Sequence, residues 1–324
     1  MFELKGIYAP IATPFTDGEI DYEKLAANLD RWCASRMEGL VLLGSNGEFV
    51  SLTESEKKEF IKFACDYVNS KQCNNAKADA NGASSAKADA PNASDAKANA
   101  RKRLIVGTGG NSIKETHALN QYACECGADA VLVVTPFYYK GALNEAALER
   151  YFTEVADKSP LPVVLYNMPG NTGVNTSSSL LIKLSHHPNI VGIKDTSGNI
   201  TQIAETIKGC DPSFSVFAGN WSFFYPSLLL GAKGATLALA NVCPDECVKL
   251  IDLAKAGRLD EAREHAFKLM PLNAAVTTKY GIGGLKYAMD KIGMYGGEPR
   301  LPLRLPNEEA QAVIDEALRI AGLI

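Results

Sequence analysis

Eight short apolar runs, each followed by a stretch with helical periodicity, constrain this chain more than any other feature. The runs are GIYAPIATPF (6–15), GLVLLGSNGE (39–48), RLIVGTGG (103–110), AVLVVTP (130–136), PVVLYN (162–167), IVGIKD (190–195), SVFAGN (215–220) and GATLALAN (234–241). After the first, DYEKLAANLDRWCASR (21–36) places Leu25, Leu29, Trp32 and Cys33 along one stripe. After the second, TESEKKEFIKFACDYV (53–68) opens with a threonine and glutamates suited to a helix start. Parallel strands need a long crossover between them, and a helix supplies it. Eight such units fit an open doubly wound sheet or a closed (β/α)8 TIM barrel, and the count of eight favours the barrel. So does the lack of a dinucleotide fingerprint. GTGGNS (107–112) does not spell G-x-G-x-x-G and reads as a strand-to-helix turn.

After Val242 the pattern is helical only, with helices predicted over 243–256, 258–278, 280–292 and 307–322 and a proline-rich break at GGEPRLPLRLP (296–306). The expected organisation is a barrel over 1–256 and a C-terminal helical extension over 257–324 with a structural or oligomeric role. Residues 76–100 break the pattern with a ten-residue repeat of alanine, lysine, aspartate, asparagine and serine. Without large apolar residues such a segment cannot offset the entropy of ordering. It is predicted to be a disordered or loosely helical surface insertion on the N-terminal face of the barrel, away from the chemistry.

The chain has 324 residues and 46% hydrophobic composition, ample for a large core. A net charge of −4 offers no basic face to nucleic acid. The opening MFELKGIYAPIATPF has no secretion-signal pattern, and no window of 18 uninterrupted apolar residues suggests a membrane span. Eight cysteines are too sparse for a disulfide scaffold in a chain this long. CEC (124–126) and CPDEC (243–247) fall in predicted helices, and His117, His186, His187 and His265 have no ligand-like spacing to them. Free buried or half-buried thiols, no metal and a cytoplasmic location are therefore expected.

In a barrel, reactive groups gather at the C-terminal ends of the strands. Those ends carry Ser45, Asn46 and Glu48, then Thr135 to Tyr139, Tyr166 and Asn167, Lys194 to Thr196, and Gly219 and Asn220. The set holds one amine, phenols, hydroxyls and amides, with no histidine and no carboxylate cluster of the kind that holds zinc or magnesium. It suits covalent catalysis by an amine. Burial in an apolar barrel disfavours the ammonium form of Lys194, and a neutral amine adds to a ketone to give a Schiff base. A lysine paired with an acid, or snorkelling to solvent, is the structural alternative. Tyr166 can move protons to and from the carbinolamine, or stand as a core tyrosine bonded to backbone. Ser45 and Asn46 lie between glycines that let backbone N–H groups approach a carboxylate, or simply close a tight turn. Tyr138 and Tyr139 offer a second phenol, or loop and interface packing.

Together GSNGE (44–48), VVTPFYY (133–139), VVLYNMPGNTG (163–173) and IVGIKDTSGN (190–199) resemble the dihydrodipicolinate synthase / N-acetylneuraminate lyase family, and the likeness runs through the chain except for 76–100. The resemblance implies a pyruvate-dependent class I aldolase on a (β/α)8 barrel, with no cofactor beyond the covalent Schiff base. It implies that Lys194 is the Schiff-base lysine, Tyr166 the acid/base tyrosine, and Ser45 and Tyr138 members of a proton relay, Tyr138 reaching from a neighbouring subunit. Phe137 is an alternative match for that last position. Ser45 and Asn46 would bind the pyruvyl carboxylate, with Asn171, Thr196 and Gly219 also facing substrate. The family's synthases usually carry an arginine where Asn171 stands in PGNTG, and losing a bidentate carboxylate partner weakens binding of an acidic aldehyde. Among family members the motifs look most like 4-hydroxy-2-oxoglutarate aldolase and the sugar-acid aldolases. The expected activity is cleavage of a 4-hydroxy-2-oxo acid, or of a 2-keto-3-deoxy sugar acid, to pyruvate and an aldehyde. The alternative within the family is 4-hydroxy-tetrahydrodipicolinate synthase, condensing pyruvate with aspartate semialdehyde, and outside catalysis a 2-oxo-acid sensor or scaffold. A homotetramer or homodimer is implied by the same resemblance.

Overall fold

The computed structural model describes residues 2–82 and 101–324. Eight parallel strands close into a barrel: β1 (Gly6–Pro10), then β4 (Gly39–Leu42), β5 (Arg103–Gly107), β6 (Ala130–Val134), β7 (Val163–Asn167), β8 (Ile190–Asp195), β9 (Ser215–Ala218) and β10 (Gly234–Thr236). Neighbours follow chain order, and β10 closes on β1. A small hairpin, β2 (Phe15–Thr16) with β3 (Glu19–Ile20), caps the loop after β1. Every predicted strand is present, but several are shorter than their apolar runs. The run 39–48 leaves the sheet after Leu42 and turns through two short 3-10 segments, Ser45–Gly47 and Phe49–Ser51.

The helices begin where local chemistry satisfies their first N–H groups. The Asp21 carboxylate accepts from the Lys24 N–H at 2.9 Å to start Tyr22–Ala34, and Ser112 does the same for Ile113–Glu125. Thr53 and Glu56 cap each other reciprocally before Glu54–Gly82. That helix outruns the predicted 53–68 and enters the alanine-rich repeat as far as Gly82; the rest of the 76–100 segment lies outside the described residues.

Two apolar cores follow from the alternation of side chains along each strand. Leu25, Leu29, Trp32 and their counterparts pack between strands and helices. Inside the barrel lie Leu4, Tyr8, Val41, Ile105, Leu132, Val134, Val164, Tyr166 and Phe217. The last barrel helix, Pro244–Lys255, leads into Leu259–Ala274, a π-helical segment Ala275–Lys279, Gly281–Lys291 and Glu308–Ala321. The sequence pattern found these helices but not the π-helical segment between the second and third.

The cysteines described are free. Burial pushes the Cys33 thiol up to about 11 and that of Cys65 to about 12, so both stay protonated and inert near neutrality. Among the described residues no helix is long and apolar enough to cross a membrane, and no cluster of His, Cys, Asp and Glu is arranged to hold a metal ion.

Candidate active site

The barrel register brings Tyr166 and Lys194 together. Tyr166 on β7 pairs with Lys194 on β8, Val134 pairs with Tyr166 on the other side, and Lys194 pairs with Phe217 on β9. These side chains form one inward layer near the C-terminal end of the barrel. Both Tyr166 and Lys194 are 4% exposed, so a phenol and an amine are buried within an otherwise apolar ring. The Lys194 Nζ lies 4.2 Å from the centroid of the Tyr166 ring. Among the described residues no carboxylate forms a salt bridge with Lys194. The acid-paired lysine that the sequence left open is therefore not what the fold builds.

Asp195, the next residue, turns outward into a separate network. Its Oδ1 accepts from the Ser197 N–H at 2.7 Å, and its Oδ2 accepts from Gln202 Nε2 at 3.0 Å and Asn167 Nδ2 at 3.3 Å. Asn167 also donates to Asn175 Oδ1 and accepts from the Thr176 N–H. Buried polar groups satisfied in this way hold the ends of β7 and β8 in fixed register behind the Tyr166–Lys194 pair. Sequence reasoning read Asp195 as a strand-end group and gave no hint of this network, because Gln202 and Asn175 lie on a helix and a loop.

The loop after β4 carries the third member. Ser45 opens the Ser45–Gly47 turn, and its Oγ lies 3.3 Å from the Tyr166 hydroxyl. Leu43, Gly44, Ser45, Phe49, Leu132 and Tyr166 line a small cavity at this point. Asn46 follows Ser45 in the turn and is half-buried. On the opposite rim Thr196 follows Lys194 and Asp195, and its buried Oγ1 has no hydrogen-bond partner. Gly219, just after β9, packs against it: a Cβ there would come within 1.9 Å of Thr196 Oγ1 and 2.9 Å of the Asp195 carbonyl. Only a glycine lets the two strand ends approach this closely.

Asn171 lies exposed in the short helix Pro169–Thr172 that follows Asn167. That turn closes on Gly173, whose positive φ of 67° and missing side chain leave room for Lys140 from the loop after β6. A Cβ at Gly173 would fall 2.9 Å from Lys140 Nζ, so the ammonium packs directly on the turn. The sequence around Lys140 does not point to this contact. Nothing local marks it, since its neighbour in space is a glycine over thirty residues on.

Tyr138 is not brought to the site within this chain. It is 73% exposed, stacked edge-to-face on Tyr139 with centroids 5.0 Å apart, on a loop whose N–H groups donate to Asn111 Oδ1.

The model of the Dihydrodipicolinate synthetase family matches residues 3–94 and 91–321. A 4-hydroxy-tetrahydrodipicolinate synthase of Methanococcus maripaludis is 32% identical over 322 residues, covering 99% of this chain and all of the relative. A solved dihydrodipicolinate synthase from Aquifex aeolicus superposes with a TM-score of 0.84 at 31% identity, covering 99% of both chains. YagE, a prophage protein of the dihydrodipicolinic acid synthase family from E. coli K12 solved in complex with pyruvate, gives 0.83 at 30% identity and the same coverage.

Proposed function

The chain belongs to the dihydrodipicolinate synthetase family, and on that premise we propose that it cleaves a 4-hydroxy-2-oxo acid to pyruvate and an aldehyde through an imine on Lys194. The observation that carries this reading is the register pairing of an acid-free, buried Lys194 with Tyr166 and, through it, with Ser45.

The Lys194 amine attacks C2 of the 2-oxo acid, and the carbinolamine loses water to form a protonated imine. Tyr166, relayed through Ser45, takes the proton of the C4 hydroxyl. The C3–C4 bond breaks, its electron pair flows to the imine nitrogen, and the aldehyde leaves. The enamine is protonated at C3, and hydrolysis returns the water, frees pyruvate and restores the amine. The imine is the electron sink, so the sequence of steps asks for no metal or organic cofactor. Ser45 and Asn46 take the pyruvyl carboxylate, with Thr196 Oγ1 and the Gly219 strand end on the other rim. Tyr138, exposed here, serves the relay of a neighbouring copy.

Two features bear on the aldehyde half. Asn171 gives the turn after β7 an amide where a guanidinium would suit the carboxylate of aspartate semialdehyde. Lys140 sets a single ammonium on the same turn, which suits a small acidic aldehyde such as glyoxylate better than a neutral sugar aldehyde. The test is pyruvate release from 4-hydroxy-2-oxoglutarate, followed with coupled lactate dehydrogenase. Release that disappears in Lys194→Ala supports the reading, and no release from the wild type refutes it.

A second reading is condensation of pyruvate with aspartate semialdehyde. It is favoured by the names of the relatives, which are 4-hydroxy-tetrahydrodipicolinate synthases at 30–33% identity across nearly the whole chain. Consumption of both substrates by the same preparation, without release from 4-hydroxy-2-oxoglutarate, would establish it instead.

A further inference from the structure

Glu48 ends the loop that carries Ser45, and it is buried against the C-terminal helical extension rather than facing the cavity. Its side chain and that of Lys286, from Gly281–Lys291, are both fully buried and form an ion pair at 2.7 Å. The Arg300 N–H donates to the other carboxylate oxygen at 2.8 Å. Lys286 also donates to the Glu298 carbonyl at 3.1 Å, and its ammonium lies 4.4 Å from the centroid of the Phe15 ring. Glu48 adopts a φ of 56°, a left-handed conformation that a side chain with a Cβ keeps only where its surroundings impose it.

The loop between Glu48 and Ser45 has little slack. The Glu48 N–H donates to the Ser45 carbonyl at 3.1 Å, and the Gly47 N–H to the Gly44 carbonyl at 3.0 Å. Thr13 Oγ1 donates to the Gly47 carbonyl at 2.7 Å. A displacement of Glu48 is therefore passed directly to Ser45, whose hydroxyl sits at the long edge of hydrogen-bond distance from Tyr166. A buried ion pair is a poor source of net stability compared with well-packed apolar residues; here the bonds from the Arg300 N–H to Glu48 and from Lys286 to the Glu298 carbonyl hold the two partners in place.

We infer that Glu48 and Lys286 are positioning residues, through which the C-terminal extension sets the Ser45 hydroxyl against Tyr166 for proton transfer. The inference rests on the relay reading of Ser45 and Tyr166 and goes beyond it, since neither Glu48 nor Lys286 reaches the reacting atoms.

The readout is exchange of the pyruvate methyl protons with deuterated water, followed by NMR. It reports imine-to-enamine proton transfer and needs no aldehyde, so it is independent of which second substrate is correct. Borohydride trapping of pyruvate on Lys194 reports imine formation separately. Ser45→Ala, Glu48→Gln and the combination are compared with wild type. The expected result is a loss of exchange of at least about tenfold in Glu48→Gln with trapping retained, and less than about a twofold further loss when Glu48→Gln is added to Ser45→Ala. Equal fold-losses with and without Ser45 would show a general structural effect and overturn the inference, as would full exchange in Glu48→Gln. Full exchange in Ser45→Ala would refute the relay itself, and the inference with it. Because Glu48→Gln leaves the Lys286 charge buried and can prevent folding, Glu48→Gln/Lys286→Met is measured in parallel. This variant removes both charges and is expected to fold and to lose exchange to the same degree; a folded double variant with wild-type exchange overturns the inference.

Discussion

Lys194 Nζ lies over the face of the Tyr166 ring, 4.2 Å from its centroid, and the two residues sit at the same register on adjacent strands. The ring offers the amine an electron-rich face and no counter-ion. In the proposed reaction the cationic imine nitrogen takes that position, where cation–π attraction of about 0.5–2 kcal/mol is available. The proposed mechanism gives the face and the hydroxyl of Tyr166 different work, and substitutions separate them. Lys194→Arg keeps a cation but no nucleophile, and both turnover and borohydride trapping of pyruvate are expected to vanish. Tyr166→Phe keeps the face and loses the proton carrier; turnover should fall by roughly 10²–10⁴ with trapping retained. Wild-type turnover in Tyr166→Phe would remove the hydroxyl from its role.

The barrel and this pair were legible from the sequence for one physical reason. Strands buried on both faces read as continuous apolar runs, so a tyrosine and a lysine at the ends of VVLY and IVGIK stand out as groups that burial alone would not place there. Their contact follows once parallel strands are taken as neighbours. What stayed hidden depends on residues far apart in the chain. Glu48 reads as part of a polar turn, and Lys286 as one charge on an amphipathic helix; their pairing needs the extension to fold back onto the barrel loop. The end of β4 was overestimated because Leu43 is as apolar as a strand residue, yet it takes a φ of 53° and starts the turn. The helix Glu54–Gly82 runs past the 53–68 stretch into the start of the repeat, in line with the loosely helical alternative for that segment, because the repeat is rich in alanine, the best helix former.

Gly219→Ala is expected to disturb the site without touching a reacting group. The new Cβ would fall 1.9 Å from Thr196 Oγ1, which can rotate, but also 2.9 Å from the Asp195 carbonyl, which is held by the Gly219 N–H at 2.7 Å. Backbone on both sides must shift, at an overpacking cost of about 1–3 kcal/mol. The strand end that moves carries Lys194. Thermal unfolding should shift downward and kcat/KM should fall at least about tenfold. Gly141→Ala, with nothing within 4 Å of its Cβ, is the control and should change stability by less than about 0.5 kcal/mol. Equal behaviour of the two variants would mean that the approach at Gly219 is not tight.

Lys140 gives a test of the acidic aldehyde half. Its ammonium packs on Gly173, on the turn that carries Asn171. Lys140→Gln removes the charge at an exposed loop position, so the fold should be unaffected. KM for 4-hydroxy-2-oxoglutarate should rise by about tenfold, in line with roughly 1.4 kcal/mol for a charge-assisted contact. Cleavage of 4-hydroxy-2-oxopentanoate, which lacks the second carboxylate, should be unchanged. A KM that rises equally for both compounds, or for neither, would remove Lys140 from recognition of that carboxylate.

Arg300 makes the fold sensitive to acid. Its guanidinium grips the Glu56 carboxylate with both terminal nitrogens, and Thr53 donates to the same carboxylate through its N–H at 2.7 Å and its hydroxyl at 2.9 Å. Arg300 also donates to the Ser51 and Gly18 carbonyls, so the ion pair ties the start of Glu54–Gly82 to the C-terminal extension. The hydrogen bonds from Arg300 are the largest cause holding Glu56 down at about 2, against an ordinary 4.5. A carboxylate depressed by folding contributes its stability fully above the unfolded value and loses it as pH falls through the folded one. The contribution is therefore complete above about pH 5 and fades toward pH 2. Urea unfolding of wild type and Glu56→Gln at pH 7, 5, 4 and 3 should show the variant less stable at pH 7, with the gap closing as the acid titrates the wild-type carboxylate. A gap that stayed constant across the series would mean that Glu56 acts through packing rather than charge.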